Sequence, residues 1–296
     1  MNKPLVGAIF AAALLGATAA PATAVSTGAQ APAKQTQQTQ QTTQKPAKSG
    51  KHKAVDFAGT VALSNCSGSV VRVPDSKPED PALVMSNGHC LESGFPGPGE
   101  VVIDKPSSRS FTLLDASGGD AGTVKASKVA YGTMTDTDVS LYELTSTYSE
   151  IESKFGIKAL ELNAAHPEKG RAITVASGYW KKLYKCSIDG FAYRLKEGNW
   201  TWKDSVRYTS DCQTIGGTSG SPVIDDETGK VVAVNNTGNE DGQECTDNNP
   251  CEVDENGKVT VRKGINYAQE TYGIVPCVGA GSKIDLSREG CELPKP

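Results

Sequence analysis

Histidine is scarce in this chain, with three among 296 residues, and aromatic residues make up only 6%. No Cys-x-x-Cys pair occurs, and with so few histidines the usual zinc-ligand spacings are missing, so no metal centre is expected. Beyond residue 24 no apolar run is long enough to span a bilayer. Acidic residues are absent from residues 1–53, which hold six lysines. Setting that segment aside leaves 24 basic against 34 acidic residues, a net charge of −10 for residues 54–296. Such a domain makes a poor phosphate-neutralising surface, which excludes nucleic acid as the expected partner. No fixed-period repeat is present, so propeller and solenoid architectures are excluded as well.

What is present begins with an export pattern. Lys3 supplies a positive start, Leu5 to Ala20 an apolar stretch, and Ala22-Thr23-Ala24 a small-x-small cleavage site. Residues 1–24 are therefore expected to be a signal peptide, and the mature chain to be secreted without a membrane anchor. Residues 25–53, rich in Gln, Thr, Lys and Pro, cannot bury enough apolar surface to offset their ordering entropy and are expected to be a linker or pro-segment. Residues 54–296 form the expected folded domain. All eight cysteines, from Cys66 to Cys291, lie inside it, an even number that in an exported chain argues for disulfides.

From Val55 the chain reads as short apolar runs separated by turn residues. Strands are expected at 59–63, 68–73, 82–85, 101–103, 111–114, 123–129 and 139–144. A second series is expected at 172–176, 184–188, 206–208, 222–224 and 230–234. Tyr148 to Phe155 fits one or two helical turns joining two halves, and Asp254-Glu255-Asn256-Gly257-Lys258 fits a hairpin turn. Many short strands and almost no helix point to an all-β barrel or sandwich.

Three local sequences carry chemistry, and they occur in a telling order. Leu83-Val84-Met85-Ser86-Asn87-Gly88-His89-Cys90 ends an apolar run on a histidine. Asp136-Thr137-Asp138-Val139-Ser140-Leu141 offers two carboxylates, of which Asp138 directly precedes an apolar strand that would bury it. Gly216-Gly217-Thr218-Ser219-Gly220-Ser221-Pro222 places a serine between glycines, where the backbone can turn sharply. A nucleophilic hydroxyl, an imidazole base and a buried carboxylate to orient it are the groups that peptide hydrolysis requires. Such a loop can point the amides of Gly217 and Ser219 at one spot, as an oxyanion hole requires. His52 falls in the linker and His166 in a hydrophilic segment, where no strand is expected to hold it.

Over roughly residues 55–280 these features resemble the chymotrypsin/trypsin serine peptidase superfamily, whose members carry His, Asp and Ser in that order. The Gly217 to Pro222 motif is similar to a bacterial glutamyl-endopeptidase form. The resemblance implies two packed six-stranded antiparallel β-barrels, the first over about 55–145 and the second over about 160–275, with the active site at their junction. It implies a catalytic triad of His89, Asp138 and Ser219 acting on polypeptides through an acyl-enzyme, without a cofactor, in a monomer. Activity would then fall as His89 is protonated, around pH ~6–7. It also implies a Cys66–Cys90 disulfide, with Cys186–Cys212, Cys245–Cys251 and Cys277–Cys291 as the remaining pairs.

The departures from that family are equally specific. Thr218 stands where zymogen-switched members carry an aspartate, so no activation by N-terminal insertion is expected. By counting, Gln213 and Asn235 stand where relatives carry charge-reading pocket residues, and Thr214, Asn236 and Thr237 complete the expected substrate-binding set. Asp211 is a further candidate for the pocket. Asp247, Asn248, Asn249, Asp254 and Asn256 form an oxygen-rich patch suited to Ca²⁺, though without EF-hand spacing. Two other uses of the same fold stay open: a catalytically inactive secreted homologue that binds, and a cell-surface protein tethered through the basic linker.

Overall fold

The computed structural model describes residues 54–296; the signal segment, the 25–53 linker and His52 lie outside the described residues. The first half contributes β1 (Thr60–Ala62), β2 (Ser67–Arg72), β3 (Pro81–Ser86), β4 (Val101–Pro106), β5 (Ser110–Leu114), β6 (Asp120–Thr133) and β7 (Val139–Thr147). Helix α1 (Tyr148–Phe155) and β8 (Leu160–Glu161) follow. The second half contributes β9 (Ala172–Ser177), β10 (Lys182–Glu197), β11 (Trp200–Tyr208), β12 (Pro222–Asp225) and β13 (Val231–Gly238). It ends with β14 (Cys251–Val253), β15 (Val259–Val261) and β16 (Asn266–Glu270).

Each half closes on itself. In the first, the ring runs β1-β5-β6-β7-β3-β2 and returns from β2 to β1 with Thr60 opposite Ser69; β4 is added on β6 and β8 lies parallel to β2. In the second, β9-β10-β11-β16-β13-β12 returns to β9, and the β14–β15 hairpin is added on β10. Closure removes the unpaired edges that would otherwise template association. This is the two-barrel all-β architecture that the resemblance implies.

Burial explains why these residues take these places. In β10 the inward set Tyr184, Cys186 and Ile188 alternates with outward polar positions, as a barrel wall requires. In β7, by contrast, Val139-Ser140-Leu141-Tyr142 is buried on both faces. Tyr142 packs inside the first barrel, while Leu141 joins Leu83, Met85 and Tyr131 in a cluster that also takes Ala176, Ile224, Val231 and Val234 from the second. That shared cluster is the seam between barrels, and truncating Leu141 to alanine would cost roughly 2–5 kcal/mol.

Helix α1 begins on a capping box, with Thr147 Oγ1 accepting the Glu150 amide and Glu150 returning to the Thr147 amide. It ends at Gly156 in the left-handed conformation. The Asn256-Gly257 hairpin lies between β14 and β15, with the Asp254 amide donating to the Lys258 carbonyl.

Several elements differ from the sequence expectation, among them β10 and β16. β10 continues to Glu197 because a register shift between Ile188 and Gly190 absorbs Asp189, where the apolar alternation breaks. β16 was not expected, since Asn266, Gln269 and Glu270 hide its periodicity. Gln269 is buried because its amide donates to Ser205 Oγ at 3.1 Å on the neighbouring strand. Among the described residues no helix is long and apolar enough to cross a membrane.

Candidate active site

β3 delivers the chain to a 3-10 turn, Gly88–Cys90, that presents His89. Position 88 needs glycine: a Cβ there would lie 2.1 Å from the Thr133 carbonyl oxygen. Asp138 immediately precedes β7 and is fully buried. Its Oδ1 accepts the His89 backbone amide at 3.0 Å, and its Oδ2 stands 2.7 Å from His89 Nδ1. A carboxylate only accepts, so this bond puts the proton of neutral His89 on Nδ1 and leaves a lone pair on Nε2. Asn87 Nδ2 donates to the Asp138 carbonyl and Ser140 Oγ to the Asn87 carbonyl, both at 2.8 Å, while the Cys66–Cys90 disulfide anchors the turn to β2's entry. Burial alone would depress the His89 pKa, but the Asp138 carboxylate, reinforced by Glu197, outweighs it and holds the imidazole above its ordinary value. Asp136, the nearby rival, turns away through a left-handed backbone (φ 58°) and pairs with Lys203.

The serine comes from the opposite barrel, on the loop between β11 and β12. Gly220 has φ 82°, and a Cβ there would lie 2.1 Å from the Ser67 carbonyl, so only glycine lets this loop seat against the first barrel. The seat is hydrogen-bonded: the Ser67 amide donates to the Ser219 carbonyl at 2.8 Å, and Ser67 Oγ donates to the Gly217 carbonyl at 3.1 Å. The amides of Thr218, Gly220 and Ser221 bond to the carbonyls of Ile215, Asn235 and Thr218. Among the described residues the amides of Gly217 and Ser219 have no partner, which leaves two donors beside the serine. The Ser219 hydroxyl donates to the Asn236 carbonyl at 3.3 Å and makes no hydrogen bond to His89; both side chains line one cavity.

That cavity, about 330 Å³, is lined by His89, Asp138 and Ser219 together with Thr214, Asn235, Asn236 and Thr237. Gln213 is not among its lining: the side chain is exposed and donates to the Ser210 carbonyl at 2.6 Å. Counting placed it in the pocket, but the short Thr209–Thr214 turns carry it out. Asp211 is likewise exposed and outside the lining. Asn235 is fixed beneath the serine loop, accepting from Tyr208 Oη at 3.1 Å and donating to Thr218 Oγ1 at 3.1 Å. Thr218 in turn donates to the Ile215 carbonyl, so the position where an aspartate would pair with a freed amine is buried and already hydrogen-bonded. Asn236 is buried with both amide atoms unpartnered.

The lining also holds residues that sequence reading missed. Glu197 ends β10 with Oε1 accepting the Asn248 amide at 2.8 Å and Oε2 buried and unpartnered; burial pushes its carboxyl up. Glu240 and Asp247 add two more carboxylates, and Phe95, Trp200 and Ile215 supply apolar surface. The expected signal for Glu197 was absent, because an acid at a strand end is an ordinary surface residue until the sheet closes around it.

All eight cysteines are paired, as Cys66–Cys90, Cys186–Cys212, Cys245–Cys251 and Cys277–Cys291. The second ties β10 to the start of the serine loop. In the oxygen-rich patch, Asp254 Oδ1 accepts the amides of Asn256 and Lys258, and Asn249 Oδ1 accepts the Asp241 amide. His166 is held after all, between the rings of Phe191 and Tyr272, with its Nε2 facing Asp204 and Glu270. Burial, followed by the Asp204 charge, pushes the Glu270 carboxyl up to about 9.

Several solved proteases are similar to the chain. An active-form protease from M. tuberculosis matches at 14% identity and TM-score 0.47, over 81% of this chain and 85% of that one. A thermostable serine protease from an extremophilic microorganism matches at 16% and 0.43, over 73% and 91%. A Glu endopeptidase matches at 14% and 0.41, over 73% and 86%. No curated protein matches the chain. A family model described as a trypsin-like peptidase domain matches residues 66–234, more than half of the sequence. With two closed barrels and that match, this chain belongs to the trypsin-like peptidase family.

Proposed function

We propose that this protein is a secreted serine endopeptidase that cleaves polypeptides through an acyl-enzyme on Ser219. The observation that carries the reading is the 2.7 Å contact of His89 Nδ1 with buried Asp138, opening on a cavity that also holds Ser219. Asp138 fixes the tautomer and stabilises the imidazolium; His89 Nε2 takes the Ser219 proton and passes it to the leaving amine. The resulting acyl-enzyme is released by a water that His89 activates in turn. The mechanism requires the Ser219 hydroxyl to leave the Asn236 carbonyl for Nε2, in keeping with catalytic bonds that align only when substrate is present. The free amides of Gly217 and Ser219 receive the oxyanion.

Glu197, Glu240 and Asp247 make the cavity acidic, which favours polypeptides carrying Lys or Arg near the scissile bond. Four disulfides belong to an oxidising compartment, which supports secretion. A second reading, an inactive homologue that binds polypeptides, rests on the Ser219 hydroxyl bonding to Asn236 rather than to His89. A fluorophosphonate probe separates the two. Folded wild-type protein is expected to label at Ser219 and Ser219→Ala to stay unlabelled; an unlabelled wild type would favour the binding reading.

A further inference from the structure

Away from the serine, three strand and loop segments of the second half bring three metal-type donors to one point. His166 lies in the segment between β8 and β9, Asp204 on β11 and Glu270 at the end of β16. His166 Nε2 stands 3.2 Å from Asp204 Oδ2 and 3.0 Å from Glu270 Oε1, and one donor atom from each residue lies within 4.8 Å of the other two. Donors bound to one zinc ion at tetrahedral angles, with bonds near 2.0–2.1 Å, stand roughly 3.3–3.4 Å apart. Both distances from His166 Nε2 already lie near that spacing.

The proton arrangement points the same way. His166 Nδ1 is 2.6 Å from the Pro167 carbonyl, which can only accept, so in the neutral ring Nδ1 carries the hydrogen and Nε2 a lone pair. A backbone carbonyl on one ring nitrogen, with the other nitrogen turned to the site, is how metal-binding histidines are oriented. Neither close approach of Nε2 to the carboxylates is a hydrogen bond. The Glu270 side chain is 5% exposed and neither of its oxygens has a hydrogen-bond partner. Extending the antiparallel register of Val206 with Ala268 by two residues sets Asp204 opposite Glu270, and the Ser205–Gln269 side-chain bond supports that register. Two carboxylates opposed across a pair of strands repel when both are ionised. Among the described residues no Lys or Arg pairs with either of them.

We infer that His166, Asp204 and Glu270 form a binding site for one divalent cation of the zinc type. One imidazole and two carboxylates suit Zn²⁺ better than Ca²⁺, which takes six to eight oxygens. His166 and Asp204 are 40% and 43% exposed, so the ion has a path in and room for a water as fourth ligand. Bound there, it would fasten the inter-barrel segment to β11 and β16.

The test uses the full-length protein, stripped with a chelator and dialysed, then titrated with zinc chloride while metal content and melting temperature are followed. One Zn²⁺ per chain is expected, with Tm rising by roughly 5–10 °C at about a hundredfold excess over Kd. Both effects should vanish in Glu270→Gln and in His166→Gln. The latter changes a partly exposed side chain and so guards against misfolding of the buried variant. Folded wild type that binds no Zn²⁺ would overturn the site and leave a shared proton as what holds the carboxylates. Equal Zn²⁺ binding by His166→Gln would overturn it too, as would a Tm rise with Ca²⁺ but none with Zn²⁺.

Discussion

Two histidines in this molecule meet carboxylates, and they do so with opposite ring nitrogens. His89 gives Nδ1 to a fully buried aspartate and keeps Nε2 for a cavity. His166 gives Nδ1 to a backbone carbonyl and turns Nε2 on two carboxylates. The tethered nitrogen decides what the free one can do. Anchored by a charge, the imidazole is a stronger base for a proton arriving from outside; anchored by a neutral carbonyl among acids, it is a ligand for a cation held within.

The comparison breaks most sharply at the ring itself. His89→Ala should lower kcat/KM by roughly 10⁵–10⁶-fold in a peptide-hydrolysis assay with the fold intact by circular dichroism. A loss below about tenfold would remove His89 from the chemistry. Next comes the anchoring group. Asp138→Asn should cost on the order of 10⁴ in kcat, because the amide permits the wrong tautomer. On the other side, Asp204→Asn should weaken Zn²⁺ by more than the roughly 10–100-fold that loss of an outer-shell partner costs, as read by calorimetry.

A smaller effect tests the acidic lining. Glu197→Gln should reduce kcat/KM roughly tenfold for peptides with Lys or Arg near the scissile bond, and little for neutral ones, since a charged hydrogen bond contributes about 1.5 kcal/mol or more. An equal loss for both sets would assign Glu197 to structure instead. The smallest concerns pH. Hydrolysis needs neutral His89, so activity is present above its pKa and lost as pH falls through it. Because that pKa is raised above 6.5, the loss should begin at a higher pH than for a free imidazole. Glu197→Gln removes one of the raising charges, so the acid limb of the kcat/KM profile should move to lower pH. An unmoved limb would separate Glu197 from the electrostatics of His89.

Much of the candidate site was readable in one dimension because its parts are local words. A side chain at Gly88, before His89, would collide with Thr133 of its own barrel, and one at Gly220, after Ser219, with Ser67 of the facing barrel, so the motif letters already encode close approach. Asp138 was distinguishable from Asp136 because it directly precedes an apolar strand whose first residues are buried. The disulfides followed from family resemblance and nearness in sequence. Gln213 shows the limit of counting: tight turns before the serine carry it to the surface, and no spacing rule registers a change of direction.

Alternating apolar strands, turn residues, an even set of cysteines and three ordered motifs determined an all-β, disulfide-bonded domain of the trypsin-like type. These depend on local chemistry that each segment carries by itself. Whatever depends on convergence was decided by the tertiary fold alone: the acidic lining around Glu197, and the meeting of His166, Asp204 and Glu270 from segments 38 and 66 residues apart. Barrel closure sets distances between strands that share no pattern in the chain, and burial then turns ordinary surface-type residues into reactive or ion-binding ones.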